Sequence, residues 1–285
     1  MKIPSIAEID IKERKILIRV DLDVPVDKSG AVGEVWKIQR IIPTVKYALL
    51  QKAKVILAAH RGKPGGKVVK RYSLEAVGAE LSQALGCEIY FPEDSVGDAV
   101  KKVSVDMPAG SVMLLENLDF HKRELEDSVD YAKKLAEIAD VYVNEAFTVS
   151  NQKRASLSAI TAFFNTVCVG LSFKNETDNL GKLANPDRPF TAVIGGKCTP
   201  LRLALMERLM DNVDSFLLGG AVANLFLKTI GKETGRSEVD QTMIFNAKKL
   251  ISSSATRGIR FIVPVDLVTV RGDLKNDSPS YIISD

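Results

Sequence analysis

Two histidines and three cysteines are all that this 285-residue chain holds of the side chains that most often bind transition metals. Cys87, Cys168 and Cys198 stand far apart with no Cys-x-x-Cys, and neither histidine has a second His or Cys at ligand spacing. A zinc site and a disulfide framework are both excluded on that pattern, and no metal-ligand set is expected. The cysteines read as buried thiols in a reducing compartment. Long apolar runs are missing too: nothing approaches the ~20 residues that cross a bilayer. Met1-Lys-Ile-Pro-Ser-Ile6 lacks the apolar stretch of a secretory signal. The expected location is the cytoplasm, with no membrane partner. An excess of one charge is also wanting, since 39 Lys and Arg against 36 Asp and Glu leave only +3. The basic residues are scattered, so nucleic acid is not an expected partner.

What the chain does contain is alternation. Short β-branched runs alternate with longer amphipathic ones, the pattern of repeated strand–helix units in a parallel sheet. Strands are expected at 16–20, 55–59, 88–91, 112–116, 141–144 and 167–171, with helices at 38–52, 74–85, 129–138 and 157–164. Tyr72-Ser73-Leu-Glu-Ala gives the second of those helices an entry in which the Ser73 hydroxyl serves the first-turn amides. One doubly wound domain is expected over 1–171. A polar helix over 172–184 runs into Asn185-Pro-Asp-Arg-Pro189, and breakers at that density place a linker at 172–187. The pattern restarts over 188–285, with strands at 190–195, 215–218 and 259–265 and helices at 201–210, 222–228 and 241–252. Three parallel strands make a thin sheet with an exposed edge, and the tail, Gly272-Asp-Leu-Lys-Asn-Asp-Ser-Pro279 included, reads as loop. The expected fold class is α/β: two doubly wound, Rossmann-like parallel-sheet domains joined by a helix, the second incomplete.

Arg19-Val-Asp-Leu-Asp-Val-Pro25, Ala59-His-Arg-Gly-Lys-Pro64, Leu114-Leu-Glu-Asn-Leu-Asp-Phe-His121 and Val141-Tyr-Val-Asn-Glu-Ala-Phe147 each lie where an apolar strand passes into a polar loop. In a parallel sheet such junctions gather along one edge, so the four are expected to build one anion-facing site. Gly195-Gly196 and Gly219-Gly220 each follow an apolar strand. A backbone without Cβ lets amides approach a phosphate there, although a tight turn is the plainer reading. Arg19 and Asp21, two apart, also read as an ion pair on one strand, His60 and His121 as satisfied loop histidines, and Lys67, Lys70 and Arg71 as a solvated loop.

Ten segments in sequence carry a more specific signal. Ile18-Arg-Val-Asp-Leu-Asp-Val-Pro25, Pro43-Thr-Val-Lys-Tyr47, Val55-Ile-Leu-Ala-Ala-His60, Tyr72-Ser-Leu74, Leu114-Leu-Glu-Asn-Leu118, Val141-Tyr-Val-Asn-Glu-Ala-Phe147, Asn185-Pro-Asp-Arg-Pro-Phe190, Ile194-Gly-Gly196, Leu218-Gly-Gly220 and Val263-Pro-Val-Asp266 occur in order. Together they resemble phosphoglycerate kinase from about residue 14 to about residue 270. The resemblance implies a glycolytic, two-domain α/β kinase that moves a phosphoryl group between 1,3-bisphosphoglycerate and ADP. It implies 3-phosphoglycerate on the first domain and adenine nucleotide, ATP or ADP with Mg2+, on the second.

Carried over residue by residue, it implies Arg19 and Lys37 as catalytic residues and Asp21, Asp23, His60, Lys63, Asp119 and Gln152 as substrate-binding positions. Gly195, Gly196, Lys197, Arg202, Gly219 and Gly220 take the nucleotide positions. Several positions depart from the family pattern. Asp23 stands for Asn, Lys37 and Lys63 for Arg, Asp119 for Arg, Asn151-Gln152 for a His-Arg pair, and Cys198 and Arg202 for two Lys. The substrate pocket is expected to be about three units less positive. A charge-assisted phosphate contact contributes roughly 1.5–3 kcal/mol, so two losses weaken binding by roughly a hundredfold to ten-thousandfold. The family's later Trp-Asn-Gly-Pro and Gly-Gly-Gly-Asp-Thr segments have no counterpart, which leaves half a nucleotide site. The expectation is a phosphoglycerate-kinase-like protein with lost or strongly weakened catalysis. The alternative is a non-catalytic binding paralogue that forms a homo-oligomer through the exposed second-domain edge.

Overall fold

Val55-Ile-Leu-Ala58 and Ile16-Leu-Ile18 are apolar at every position, the mark of strands covered on both faces rather than one. The computed structural model, which describes residues 3–270 and 280–284, places both at the centre of a parallel sheet. The chain runs β1 (Lys15–Arg19), α1 (Trp36–Leu50), β2 (Lys54–Ala58), α2 (Glu75–Leu85), β3 (Ile89–Tyr90), α3 (Asp98–Asp106) and β4 (Val112–Leu114). It continues through α4 (Lys122–Leu125), α5 (Val129–Ala136), β5 (Val141–Asn144), β6 (Val167–Val169) and α6 (Leu171–Gly181). The six strands pair in the order β3-β4-β2-β1-β5-β6, all parallel.

Alternation along each strand sorts the core into two layers. Ile16, Ile18, Val55 and Leu57 pack with Ile38, Ile41 and Val45 of α1 and Val77 and Leu81 of α2. Leu17 and Ile56 turn to the opposite face and pack with Val100 of α3 and Tyr131 and Leu135 of α5. Helices on both faces satisfy the expectation of a doubly wound sheet. Ser73 takes part in starting α2 as expected, with Oγ accepting from Glu75 N at 3.2 Å, and it also donates to Glu116 Oε2 at 2.7 Å.

Three local expectations differ. The sequence pattern omits α3, because its Asp-Ala-Val-Lys-Lys-Val-Ser-Val-Asp buries only Val100 and Ser104 and shows no broad apolar stripe. The helix expected at 157–164 is a short 3-10 segment, Ala159–Phe163, in a stretch of β-branched and aromatic residues that resist an α-helix. The strand expected at 88–91 shrinks to two residues.

Contact grouping divides the chain into Met1–Asn179 and Leu180–Asp285, a point that falls inside the expected linker 172–187. The second unit holds β7 (Thr191–Ile194), α7 (Pro200–Leu209), β8 (Ser215–Leu218), α8 (Gly220–Thr229), α9 (Ile244–Arg257), β9 (Arg260–Ile262), β10 (Asp266–Val270) and β11 (Ser280–Ser284). β7-β8-β9 form a three-stranded parallel sheet. Ala192, Phe216 and Leu218 face Leu203 and Met206 of α7, Val222 and Phe226 of α8 and Leu250 of α9. All three helices thus lie on one face, as right-handed crossovers between sequential strands require. On the other face Val193, Leu217 and Ile262 stand in register across the three strands, 71, 42 and 40% exposed.

The tail corrects one expectation. β10 and β11 pair antiparallel, Asp266 opposite Ser284 and Val270 opposite Ser280, where the sequence reading had loop. Leu-Val-Thr-Val and Tyr-Ile-Ile are β-forming runs whose pairing outweighs the turn-rich segment between them. The loop expected at 272–279 lies outside the described residues.

Candidate functional site

The strand order sets β4, β2, β1 and β5 side by side, so the loops that follow them share one carboxyl edge. Arg19 closes β1 opposite Ala58 of β2 and Asn144 of β5. Because β2 and β5 flank β1 on opposite sides, this edge contains the reversal of strand order at which open α/β sheets bind ligands.

Arg19 is wholly buried. Its Nε donates to Ser156 Oγ at 2.9 Å, Nη1 to the Val20 carbonyl, and Nη2 to His60 Nδ1 at 3.1 Å. Ser156 Oγ in turn donates to Glu124 Oε1 at 2.6 Å, and Glu124 is 0% exposed. A guanidinium has no acceptor, so His60 Nδ1 must accept and the ring proton sits on Nε2. Burial, then the nearby Arg19 and Arg154 charges, lower the His60 pKa to about 3. His60 is therefore a neutral N–H donor at physiological pH.

Asp21, Asp23 and Lys37 form a second group. Asp21 Oδ2 accepts from Thr148 Oγ1 at 2.6 Å, and Lys37 Nζ lies 3.7 Å from the same oxygen while donating to the Asp23 carbonyl at 2.7 Å. Burial pushes the Asp21 pKa up, but the hydrogen bonds from Thr148 and the Asp23 amide, with the Lys37 charge, bring it below the usual value. Asp23 Oδ1 accepts from Gly62 N at 2.8 Å. Gly62 has φ of +65°, and a Cβ there would meet the Tyr72 ring at 2.4 Å, so glycine is required for this turn. Lys63, on the same loop, is exposed. Beside this group lies a small recess lined by Trp36, Lys37, Arg40, Phe147, Thr148 and Phe173.

Asp119 and Gln152 meet on Arg154. Asp119 Oδ1 and Gln152 Oε1 accept from Arg154 Nη1 and Nε, the latter at 2.8 Å. Asp119 is 3% exposed, and burial raises its pKa in spite of Arg154. The expected ion pair between Arg19 and Asp21 does not form, because their polar atoms are taken by Ser156, His60, Thr148 and Lys37. His121 Nε2 lies 2.6 Å from Asp94 Oδ1.

The second unit brings its own residues together. Gly195-Gly196 follows β7 and Gly219-Gly220 follows β8, so the two pairs sit side by side at the carboxyl ends of adjacent strands. A Cβ on Gly195 would lie 3.8 Å from Gly219, and one on Gly220 only 2.9 Å from Gly196 N. Gly196 and Gly220 have φ of +78° and +57°. Arg202, in the first turn of α7, folds its guanidinium back over Gly196 and donates to the Lys197 carbonyl. Pro200 opens that helix, with Thr199 Oγ1 accepting from Arg202 N at 3.3 Å. Amides at two strand ends, the amino end of α8 and Arg202 make a cradle of the kind that suits phosphate. The contact also makes a stability prediction. Gly220→Ala must both adopt a positive φ and push Gly196 aside, and it is expected to cost about 1–3 kcal/mol in urea unfolding. A change below half a kilocalorie, on the order of ordinary surface substitutions, would show that the two turns do not touch.

Comparison with known proteins gives this arrangement its context. The profile described as "Phosphoglycerate kinase" matches residues 6–281. The chain belongs to the phosphoglycerate kinase family. It is 40% identical over 270 residues to "Phosphoglycerate kinase" of Geotalea uraniireducens, covering 94% of this chain and 68% of that protein. It is 37% identical over 280 residues to "Phosphoglycerate kinase, cytosolic" of Triticum aestivum, covering 98% of this chain and 69% of the wheat protein. The solved "Structure of phosphoglycerate kinase from Coxiella burnetii" superposes with a TM-score of 0.84 at 30% identity, covering 99% of this chain and 71% of that one.

Family membership sharpens what the sequence reading missed. The count of lost charges at positions 37, 63, 119 and 152 overlooks two guanidinium groups, Arg61 on the Ala59–Pro64 loop and Arg154 beside Asp119. Arg61 is 6% exposed and is spent on carbonyls: Nε donates to Val24 O at 3.0 Å and Nη1 to Arg71 O and Ser73 O at 2.6 and 3.1 Å. It holds the phosphoglycerate-kinase-type loops together. Arg154 instead reaches Asp119. The signal for Arg61 was present, as a cation inside the Ala59-His-Arg-Gly-Lys-Pro64 junction. Arg154 had none, because Lys153-Arg154 reads as an ordinary solvated pair.

Proposed function

We propose that this protein binds 3-phosphoglycerate in its first unit and carries out phosphoryl transfer between 1,3-bisphosphoglycerate and ADP weakly or not at all. The reading rests on one observation: carboxylates answer the cations at the site. Asp21 sits beside Lys37 and Asp119 on Arg154, so a phosphorylated acid competes with side chains already in place. Phosphoryl transfer depends mostly on positioning and on stabilising spread negative charge. Lys37 offers a point charge without the bidentate fork of an arginine, and part of that charge is compensated.

In this reading His60 donates Nε2–H to the acid and Lys37 faces the transferring group. Asp21 and Asp23 hold Lys37, Gln152 orients Arg154, and Lys63 approaches from the loop. Arg19 positions His60 rather than touching ligand, because its guanidinium is enclosed. The nucleotide phosphates would lie against Gly195, Gly196, Gly219 and Gly220, with Lys197 and Arg202 nearby. Mg2+ would arrive with ATP or ADP as part of the substrate and supply charge neutralisation. The cytoplasm is the location this reading implies.

Calorimetric titration with 3-phosphoglycerate and Mg-ADP, run beside a coupled turnover assay, tests it. Measurable heat with the acid and turnover below about 0.1 s⁻¹ is expected, against the roughly 1–100 s⁻¹ typical of kinases. Turnover within that ordinary range would overturn the weakened-catalysis reading, and a silent titration would overturn binding.

A second reading, in which the chain acts by associating with a second copy, is favoured by the apolar row Val193, Leu217 and Ile262 on the uncovered sheet face. A parallel sheet normally covers both faces. Sedimentation showing a concentration-dependent dimer that Leu217→Lys abolishes would support this, and a monomer at all concentrations would exclude it.

A further inference from the structure

Among the described residues Arg154 is held at the first-unit site by two side chains, Gln152 and Asp119, and by no backbone carbonyl. Its Nε donates to Gln152 Oε1 at 2.8 Å and its Nη1 to Asp119 Oδ1, so the Asp119 carboxylate stands where an incoming anion would dock. Arg19 is bound through Nε, Nη1 and Nη2 to Ser156, Val20 and His60, and Arg61 Nε and Nη1 are bound to three backbone carbonyls. Ser156, two residues after Arg154, accepts from the Arg19 that also donates to His60, and the Arg154 charge acts on both groups. It therefore shares a site with the neutral His60 donor.

Asp119 is built to hold its position. It lies in a 3-10 turn, Leu118–Phe120, its amide donating to Asn117 Oδ1 at 3.0 Å. Asn117 is itself fixed by Nδ2 donating to the Arg61 and Tyr72 carbonyls at 2.7 and 2.8 Å. A carboxylate this well anchored and almost fully enclosed is not a flexible surface partner of Arg154.

We propose that Arg154 is the anion-binding guanidinium of this site and that Asp119 occupies it as an internal substitute for the ligand's phosphate. The proposal rests on the reading of the first unit as a site for a phosphorylated acid and deepens it. An incoming anion must take Arg154 away from Asp119 and leave that carboxylate enclosed without its partner. Both steps oppose binding, because an unpaired buried charge is more costly than an exposed one. Affinity is thus set by a competition inside the protein, and Asp119 is its specificity-determining residue. A small, doubly charged phosphate competes with the carboxylate, whereas a singly charged acid does not.

Calorimetry with two probes, 3-phosphoglycerate and inorganic phosphate, tests this on the unmodified chain, Asp119→Asn, Arg154→Gln and the double variant. Asp119→Asn is expected to bind phosphate-bearing probes at least about tenfold tighter, since one charge-assisted bond to the ligand's competitor is removed. Arg154→Gln is expected to bind at least about tenfold more weakly, and the double variant no tighter than Arg154→Gln. If Arg154→Gln fails to fold because Asp119 is orphaned, the double variant, which pairs two neutral amides, takes its place against Asp119→Asn. Unchanged or weaker binding in Asp119→Asn would overturn the proposal, as would a double variant that binds as tightly as Asp119→Asn. Phosphate bound by Asp119→Asn but 3-phosphoglycerate bound by no variant would keep the proposal and overturn the triose-acid reading. Equal 3-phosphoglycerate affinity in all four proteins would do the reverse, and silence with both probes throughout would overturn both.

Discussion

Arg19→Leu is expected to lower the free energy of unfolding by roughly 3–5 kcal/mol, the range seen when one partner of a buried charge pair is removed. Leucine fills much of the space but none of the polar contacts. Ser156 Oγ, the Val20 carbonyl and His60 Nδ1 each lose their hydrogen bond. Glu124, buried and joined to Arg19 through Ser156, loses the main charge that offsets its burial. Urea unfolding followed by far-ultraviolet circular dichroism reads the change as a lowered midpoint. A loss below about 1 kcal/mol, the scale of a single neutral hydrogen bond, would show that Arg19 is not the centre of this network. The same substitution is expected to weaken ligand binding only through His60, whose Nδ1 no longer has a donor to fix its tautomer.

How far the first unit was legible in sequence follows from what its strands bury. β1 is apolar from Ile16 to Ile18 and β2 from Val55 to Ala58 because both faces are covered, and an unbroken run soon followed by Asp21 or His60 marks the carboxyl edge without further information. Four such edges gave the site. α3 stayed hidden because only Val100 and Ser104 face inward, a stripe too narrow to stand out among seven other residues. The β10–β11 pairing stayed hidden for a different reason. The pairing is set by a partner strand ten residues on, and the intervening Gly, Asp, Asn and Pro read as the end of order.

Within the site, residue identity was legible and charge balance was not. The positions of Asp21, Asp23, Lys37, His60 and Asp119 follow from the junctions, but the meaning of each charge depends on what faces it. Lys122-Arg-Glu-Leu-Glu-Asp127 reads as a solvated run, yet Glu124 is 0% exposed because Ser156 N and Oγ, 32 residues on, both donate to it. Asp119 reads as a lost cation until Arg154, 35 residues on, is found beside it. Pairings over such distances are tertiary facts. They turn an apparent erosion of positive charge into an exchange, with cations at 61 and 154 and new carboxylates at 23 and 119, and no buried side-chain polar atom among the described residues is left without a partner.

The exchange has a consequence in pH that a single residue reports. His60 is held neutral by burial, by Arg19 and by Arg154, against Asp21, which acts the other way, with Lys37 adding a small further push down. Its pKa of about 3 in the folded protein lies below the ~6.5 of an unfolded histidine, so between those values only the unfolded chain binds the proton. The stabilising contribution of His60 is therefore complete above pH 6.5 and is lost progressively as pH falls towards 3. Asp119 and Glu124, whose pKa values burial raises, contribute in the opposite direction, so the whole-protein profile alone cannot isolate His60. His60→Asn can, since the amide oxygen replaces Nδ1 as acceptor for Arg19 without a titrating proton. From pH 7 to pH 5 the unmodified chain is expected to lose about 2 kcal/mol more stability than His60→Asn. With only two histidines in the chain, ring-proton resonances give an independent check: one signal is assigned to His60 by its absence in the variant, and it should not move between pH 8 and pH 5. A His60 resonance titrating near pH 6.5, or parallel stability profiles for the two proteins, would mean that the ring is open to solvent and that the buried Arg19–His60 pair does not organise this site.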